Sequence, residues 1–107
     1  MQPEQHDTGI ADININNAIT TGGLVVQNDN EGDINLTGTV NANGDVLVQN
    51  NTTGAINLAG TLNNGTTQGT TQIVNEANNQ GGIILEGTLG AQNATTITNK
   101  GNSLINI

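Results

Sequence analysis

Residues 33–40 read DINLTGTV, and the chain writes nearly the same phrase three more times: DININNAI at 12–19, AINLAGTL at 55–62 and GIILEGTL at 82–89. A fifth copy opens at Ile105-Asn106-Ile107, where the chain stops. A second phrase lies between the first ones: VVQN at 25–28, LVQN at 47–50, QIVN at 72–75 and TITN at 96–99. A repeat of this length is one supersecondary unit that cannot bury an apolar face alone. The units must therefore stack.

The spacings separate rigid from variable parts. From the first Ile of each phrase to its last aliphatic residue the step is 6 in all four copies: Ile13 to Ile19, Ile34 to Val40, Ile56 to Leu62 and Ile83 to Leu89. The steps onward to Val26, Val48, Ile73 and Ile97 are 7, 8, 11 and 8, and those to the next first Ile are 8, 8, 10 and 8. The period is thus 21, 22, 27 and 22 residues. All variation falls in the connecting stretches, which carry turn chemistry: Asn43-Gly44, Asn64-Gly65, Gly22-Gly23 and Gly81-Gly82. A solenoid tolerates length change in this place.

Apolar residues make up 33% of the chain, aromatic residues are absent and the only proline is Pro3. Composition alone reads as disorder. The placement of the apolar residues overrules that reading. Ile34/Leu36, Ile56/Leu58 and Val46/Val48 alternate with period 2 and are bounded by Gly, Asn and Thr, which is the signal of short strands. No stretch has helical periodicity. The expected fold is all-β, a right-handed parallel β-helix (β-solenoid) of about four coils of 21–27 residues. Residues 1–8 read as a disordered or capping segment and 9–107 as a single repeat domain.

Each coil reads as three strands, near residues 34–37, 39–41 and 46–50 in the second coil, with Ile34, Leu36, Val40, Val46 and Val48 inward. Gly38, Gly60 and Gly87 mark the first corner, where glycine would permit an unusual φ, and Asn17 holds that place in the first coil. Stacking about 4.8 Å apart aligns like residues in columns. Ile13/Ile34/Ile56/Ile83 form the inner column, Thr39/Thr61/Thr88 and Asn28/Asn50/Asn75/Asn99 two others. An Asn column can hydrogen-bond from coil to coil.

The pattern G-x-I-x-L-x-G-T-V-x-A-x-G-D-V-x-V at residues 32–48 resembles the repeats of filamentous-haemagglutinin-type exoproteins. The resemblance extends over roughly residues 9–107. It implies the shaft of a two-partner-secreted bacterial adhesin, extracellular or on the cell surface. Shaft repeats of that family space a binding tip, which is the part that would meet a host or cell-surface receptor.

The formal net charge is −8, with nine acids, Lys100 and no Arg. That excludes a basic nucleic-acid surface and docking to anionic membranes, and no apolar run is long enough for a membrane span. The absence of Cys excludes disulfides and thiol chemistry. No signal peptide is read in this stretch, so the expectation is either a chain not exported through such a signal or a piece of a longer exported protein. Ending inside a repeat favours the piece. Asp29, Glu31 and Asp33 could form a carboxylate pair or a weak calcium site. The plainer reading is a solvated turn that uses Asp and Asn for their turn preference. Lys100 lies in a turn, and His6 sits alone in the polar N-terminal segment. No enzyme activity, metal or cofactor is expected. Sugar binding lacks aromatic platforms. An ice-binding Thr array is interrupted by Ala18, and the sequons at Asn35, Asn50, Asn51, Asn64 and Asn93 follow from 20 Asn and 16 Thr in the chain.

The ends of a β-solenoid expose unpaired backbone groups unless capped. Self-association through Ile13 and Ile15 at one end and Leu104, Ile105 and Ile107 at the other is the expected interface. The expected partners are flanking repeats of a longer chain or further copies of this one in a head-to-tail filament. Nucleic acid and membrane insertion are excluded from that set.

Overall fold

The computed structural model describes residues 4–7, 12–16, 18–29, 32–51, 54–76, 82–100 and 105–106. Every regular element among them is a strand. Strand β1 (Glu4–Asp7) precedes the first full coil, which comprises β2 (Ile13–Ile15), β3 (Ile19–Thr21) and β4 (Leu24–Asn28). The second coil holds β5 (Ile34–Leu36), β6 (Thr39–Ala42) and β7 (Val46–Asn50), and the third β8 (Ile56–Leu58), β9 (Thr61–Asn64) and β10 (Thr71–Asn75). The fourth holds β11 (Ile83–Leu85), β12 (Thr88–Ala91) and β13 (Thr95–Asn99), and β14 (Ile105–Asn106) opens a fifth.

Strands of one kind stack into three parallel sheets. Their orders are β14-β11-β8-β5-β2, β12-β9-β6-β3 and β1-β4-β7-β10-β13, here called the first, second and third sheets after their place in the coil. The chain is a parallel β-solenoid of about four turns. Its register reproduces the sequence columns. Ile13, Ile34, Ile56, Ile83 and Ile105 pair in succession, as do Asn28, Asn50, Asn75 and Asn99, and Thr39, Thr61 and Thr88.

The core is a narrow column of aliphatic side chains. Ile34, Leu36, Val40, Val46 and Val48 of the second coil are each at most 1% exposed. A one-residue slip would turn this whole set outward, so the period-2 pattern fixes the register. The second strand runs one residue further than its sequence pattern indicates, because Ala42 is also inward and buried. Its successor in the column, Asn64, is buried and polar, which is why alternation of apolar residues did not mark the extension.

One expectation is corrected. No described glycine has a positive φ, so Gly38, Gly60 and Gly87 are not there for backbone freedom. A Cβ on Gly60 would lie 2.0 Å from Gly38 O, and one on Gly87 would lie 1.8 Å from Gly60 O. The corner needs glycine because the carbonyl of the preceding coil occupies the space of a side chain. Asn17 lies outside the described residues.

Candidate functional site

Three carboxylates act as clamps between coils. Asp12 Oδ1 accepts the Asp33 N–H at 2.8 Å, Asp33 Oδ1 accepts the Ala55 N–H at 2.8 Å, and Asp45 Oδ1 accepts the Thr70 N–H at 2.9 Å. Each Asp stands immediately before the first inward residue of a strand: Ile13, Ile34 or Val46. There the backbone leaves a turn, and an N–H of the next coil comes within reach of the carboxylate. Hydrogen bonds to an ionised acceptor are stronger than neutral ones. The sequence signal was present as Asp just before the inward alternation at Ile13, Ile34 and Val46, but it reads equally well as turn preference.

Amide ladders run beside these clamps. On the outer face of the first sheet, Asn35 Nδ2 donates to Asn14 Oδ1 at 2.9 Å and Asn57 Nδ2 to Asn35 Oδ1 at 2.8 Å. On the second sheet Asn63 Nδ2 donates to Asn41 Oδ1 at 3.3 Å. The Asn28/Asn50/Asn75 column is fully buried, and its amides make two kinds of bond. Asn75 Nδ2 donates to Asn99 Oδ1 at 2.9 Å, the coil-to-coil bond expected from sequence. Asn28 and Asn50 donate to Gly32 O and Gly54 O of their own following turns. Buried amides placed this way satisfy carbonyls that the corner would otherwise strand.

The acid cluster is drawn into the same stitching. Asp29 is half-buried, and its Oδ1 accepts Asn51 Nδ2 at 2.6 Å and Gln27 Nε2 at 3.0 Å. Asp33 is half-buried and serves as the clamp just described. Glu31 lies outside the described residues. No group of three or more His, Cys, Asp or Glu among the described residues is arranged to hold a metal ion. Lys100 Nζ pairs with Glu76 Oε1 at 2.9 Å, in the column position that Asp29 and Asn51 occupy two coils earlier. Gln49 Nε2 also donates to Glu76, at 3.3 Å. His6 falls in β1, at the register position of Gln27.

The two ends of the solenoid are unlike. At the N-terminal end Ile13 and Ile15 lie in β2, the outermost strand of the first sheet, yet both are buried. There β1 extends the third sheet by one strand, with Gln5 and Asp7 at the register positions of Val26 and Asn28. At the C-terminal end Leu85, Leu89 and Ile97 are only partly buried. Their counterparts one coil earlier, Leu58, Leu62 and Ile73, are at most 1% exposed. Ile105, in β14, is 41% exposed and is the one large exposed hydrophobic among the described residues. Leu104 and Ile107 lie outside those residues.

No described helix is long and apolar enough to cross a membrane. Comparison with family models, curated proteins and solved structures finds no match.

Proposed function

We propose that this chain is a non-enzymatic structural repeat segment, a length of β-solenoid shaft from a bacterial secreted or surface-displayed protein of the adhesin type. The observation that carries the reading is the half-buried layer of Leu85, Leu89 and Ile97. It repeats an interior layer that the coil before it buries completely. Such a layer suits the addition of a further coil. The side-chain chemistry points the same way, since Asp12, Asp29, Asp33 and Asp45 all bind donors of a neighbouring coil. One basic residue against nine acids supports an assignment without nucleic acid or membrane insertion.

A second reading, a fibre subunit polymerising end to end, rests on exposed Ile105 in the edge strand β14, which pairs with β11 on one side. The junction it needs is imperfect. In a head-to-tail stack, β14 of one copy and β1 of the next would share one coil. Among the described residues the second sheet has four strands where the others have five, so that coil would hold no described middle strand. Flanking repeats that continue all three sheets avoid this difficulty, so the shaft reading is preferred.

Two experiments test the shaft. Inserting a second copy of residues 33–54 after Gly54 adds one coil and should raise the unfolding midpoint, because repeat stability grows with each interface. A chain that fails to fold with the extra coil would oppose a stack of interchangeable units. Antibody against the folded chain should label intact bacterial cells that express it, and external protease should remove the label. Labelling only after permeabilisation would overturn the surface placement.

A further inference from the structure

The chain contains two Asn-Gly dipeptides: Asn43-Gly44 lies in the bend just after β6, and Asn64-Gly65 spans the end of β9, both strands of the second sheet. Asn-Gly is the dipeptide most prone to spontaneous loss of the side-chain amide, because glycine has no Cβ to hinder attack by its own backbone nitrogen. The reaction needs a side chain free to rotate, a following N–H not held by a protein acceptor, and water. The fold gives the two sites opposite answers on all three counts.

Asn43 is exposed, and its side chain makes no hydrogen bond to any described residue. Only its backbone is held, its N–H donating to Thr21 O at 3.1 Å and to Gly22 O at 2.8 Å. The Gly44 N–H donates to no described acceptor. Asn64 is 3% exposed. Its Nδ2 donates to Gly44 O at 2.7 Å and to Thr71 Oγ1 at 3.1 Å, and its Oδ1 accepts the Thr66 N–H at 3.3 Å. The following Gly65 N–H donates to Ala42 O at 2.9 Å. Every group that must move is therefore engaged at Asn64 and free at Asn43.

We infer that Asn43 is a site of spontaneous hydrolytic modification in the folded protein, and that Asn64 is protected by the coil on which it stacks. The Gly44 nitrogen gives its proton to solvent and attacks Cγ of Asn43. The Cγ–Nδ2 bond breaks, ammonia leaves, and a five-membered succinimide forms. Water then opens the ring at either carbonyl, giving aspartate or isoaspartate at position 43. No oxidant or metal takes part. Each event adds one negative charge to a chain already at −8, two residues from Asp45. The isoaspartate product also inserts a methylene into the main chain of the turn between β6 and β7.

The test is storage of the folded chain in mildly alkaline buffer, followed by peptide mapping with mass spectrometry and enzymatic methylation specific for isoaspartate. Position 43 should convert to a mixture of aspartate and isoaspartate. Asn64 must open locally first, which should slow it by on the order of a hundredfold. In denaturant the two sites should convert at similar rates. Retention of the Asn43 amide in the folded chain, or equal conversion of both sites before denaturation, would overturn the inference. The exposed-turn variant Asn43→Ser should abolish the methylation signal and leave the unfolding midpoint unchanged.

Discussion

Gly60 stands on the corner carbonyl of Gly38 so closely that a Cβ there would lie 2.0 Å from Gly38 O and 2.6 Å from the carbonyl carbon of Thr37. The obstacle is backbone of the preceding coil, which cannot rotate aside like a flexible side chain. The same geometry recurs between Gly87 and Gly60 and between Gly54 and Gly32. Two corners of the solenoid are therefore defined by close approach of one coil's main chain to the next.

Gly60→Ala should destabilise the chain by about 3 kcal/mol, the upper end for overpacking, since the two coils must separate to admit a methyl group. Gly22→Ala is the control. Nothing lies within 4 Å of a Cβ at Gly22 and its φ is not positive, so alanine should be neutral or stabilising by about 0.5 kcal/mol. Chemical denaturation of the two variants reads the difference, and equal midpoints would contradict the steric account.

Ile56 pairs with Ile34 on one side and Ile83 on the other and is 1% exposed. Ile56→Ala should cost about 2–5 kcal/mol, because neighbouring coils locked by their hydrogen bonds cannot collapse into the space. Asn57→Ala, one residue along and on the outer ladder, should cost only about 1 kcal/mol. A variant at Ile56 that unfolds no more easily than wild type would reverse the assigned inward face.

The stack and its register were legible in sequence because they depend on two rules that single residues obey: alternation of apolar side chains and recurrence at a nearly constant period. Ile13, Ile34, Ile56 and Ile83 announced themselves in this way. The Asn75–Asn99 bond along the solenoid axis was legible as part of a column, but the axial roles of Asp33 and Gly60 were not. Asp33 clamps the Ala55 N–H and Gly60 yields to Gly38 O, yet in one dimension both look like ordinary turn residues. The partners lie 22 residues away, and a period that drifts between 21 and 27 hides which pairs meet. The difference between the two ends was equally hidden, since it depends on which sheet gains β1 and which gains β14.

Asp33→Ala removes the acceptor of the Ala55 N–H and should cost about 1 kcal/mol. Asp33→Asn keeps an oxygen at that position and should recover most of the loss. Amide exchange at Ala55 should quicken in the alanine variant while amides in β10 stay protected. Equal exchange in the two variants would show that the carboxylate is a bystander.

The partly exposed C-terminal coil gives the last prediction. Ile105 is 41% exposed, and Leu85, Leu89 and Ile97 beneath it are partly bare, so copies at high concentration should associate through this end. The net charge of −8 opposes contact between like chains, and salt that screens it should strengthen association. Ile105→Lys should give monomers under all conditions, because a charge on the inward column of an edge strand blocks pairing with a neighbour's β2. Sedimentation across a salt series distinguishes the outcomes. A wild-type chain that remains monomeric at high concentration and high salt would sink the fibre reading. The shaft reading would stand, because flanking coils of the same chain would cover the end in place of a second copy.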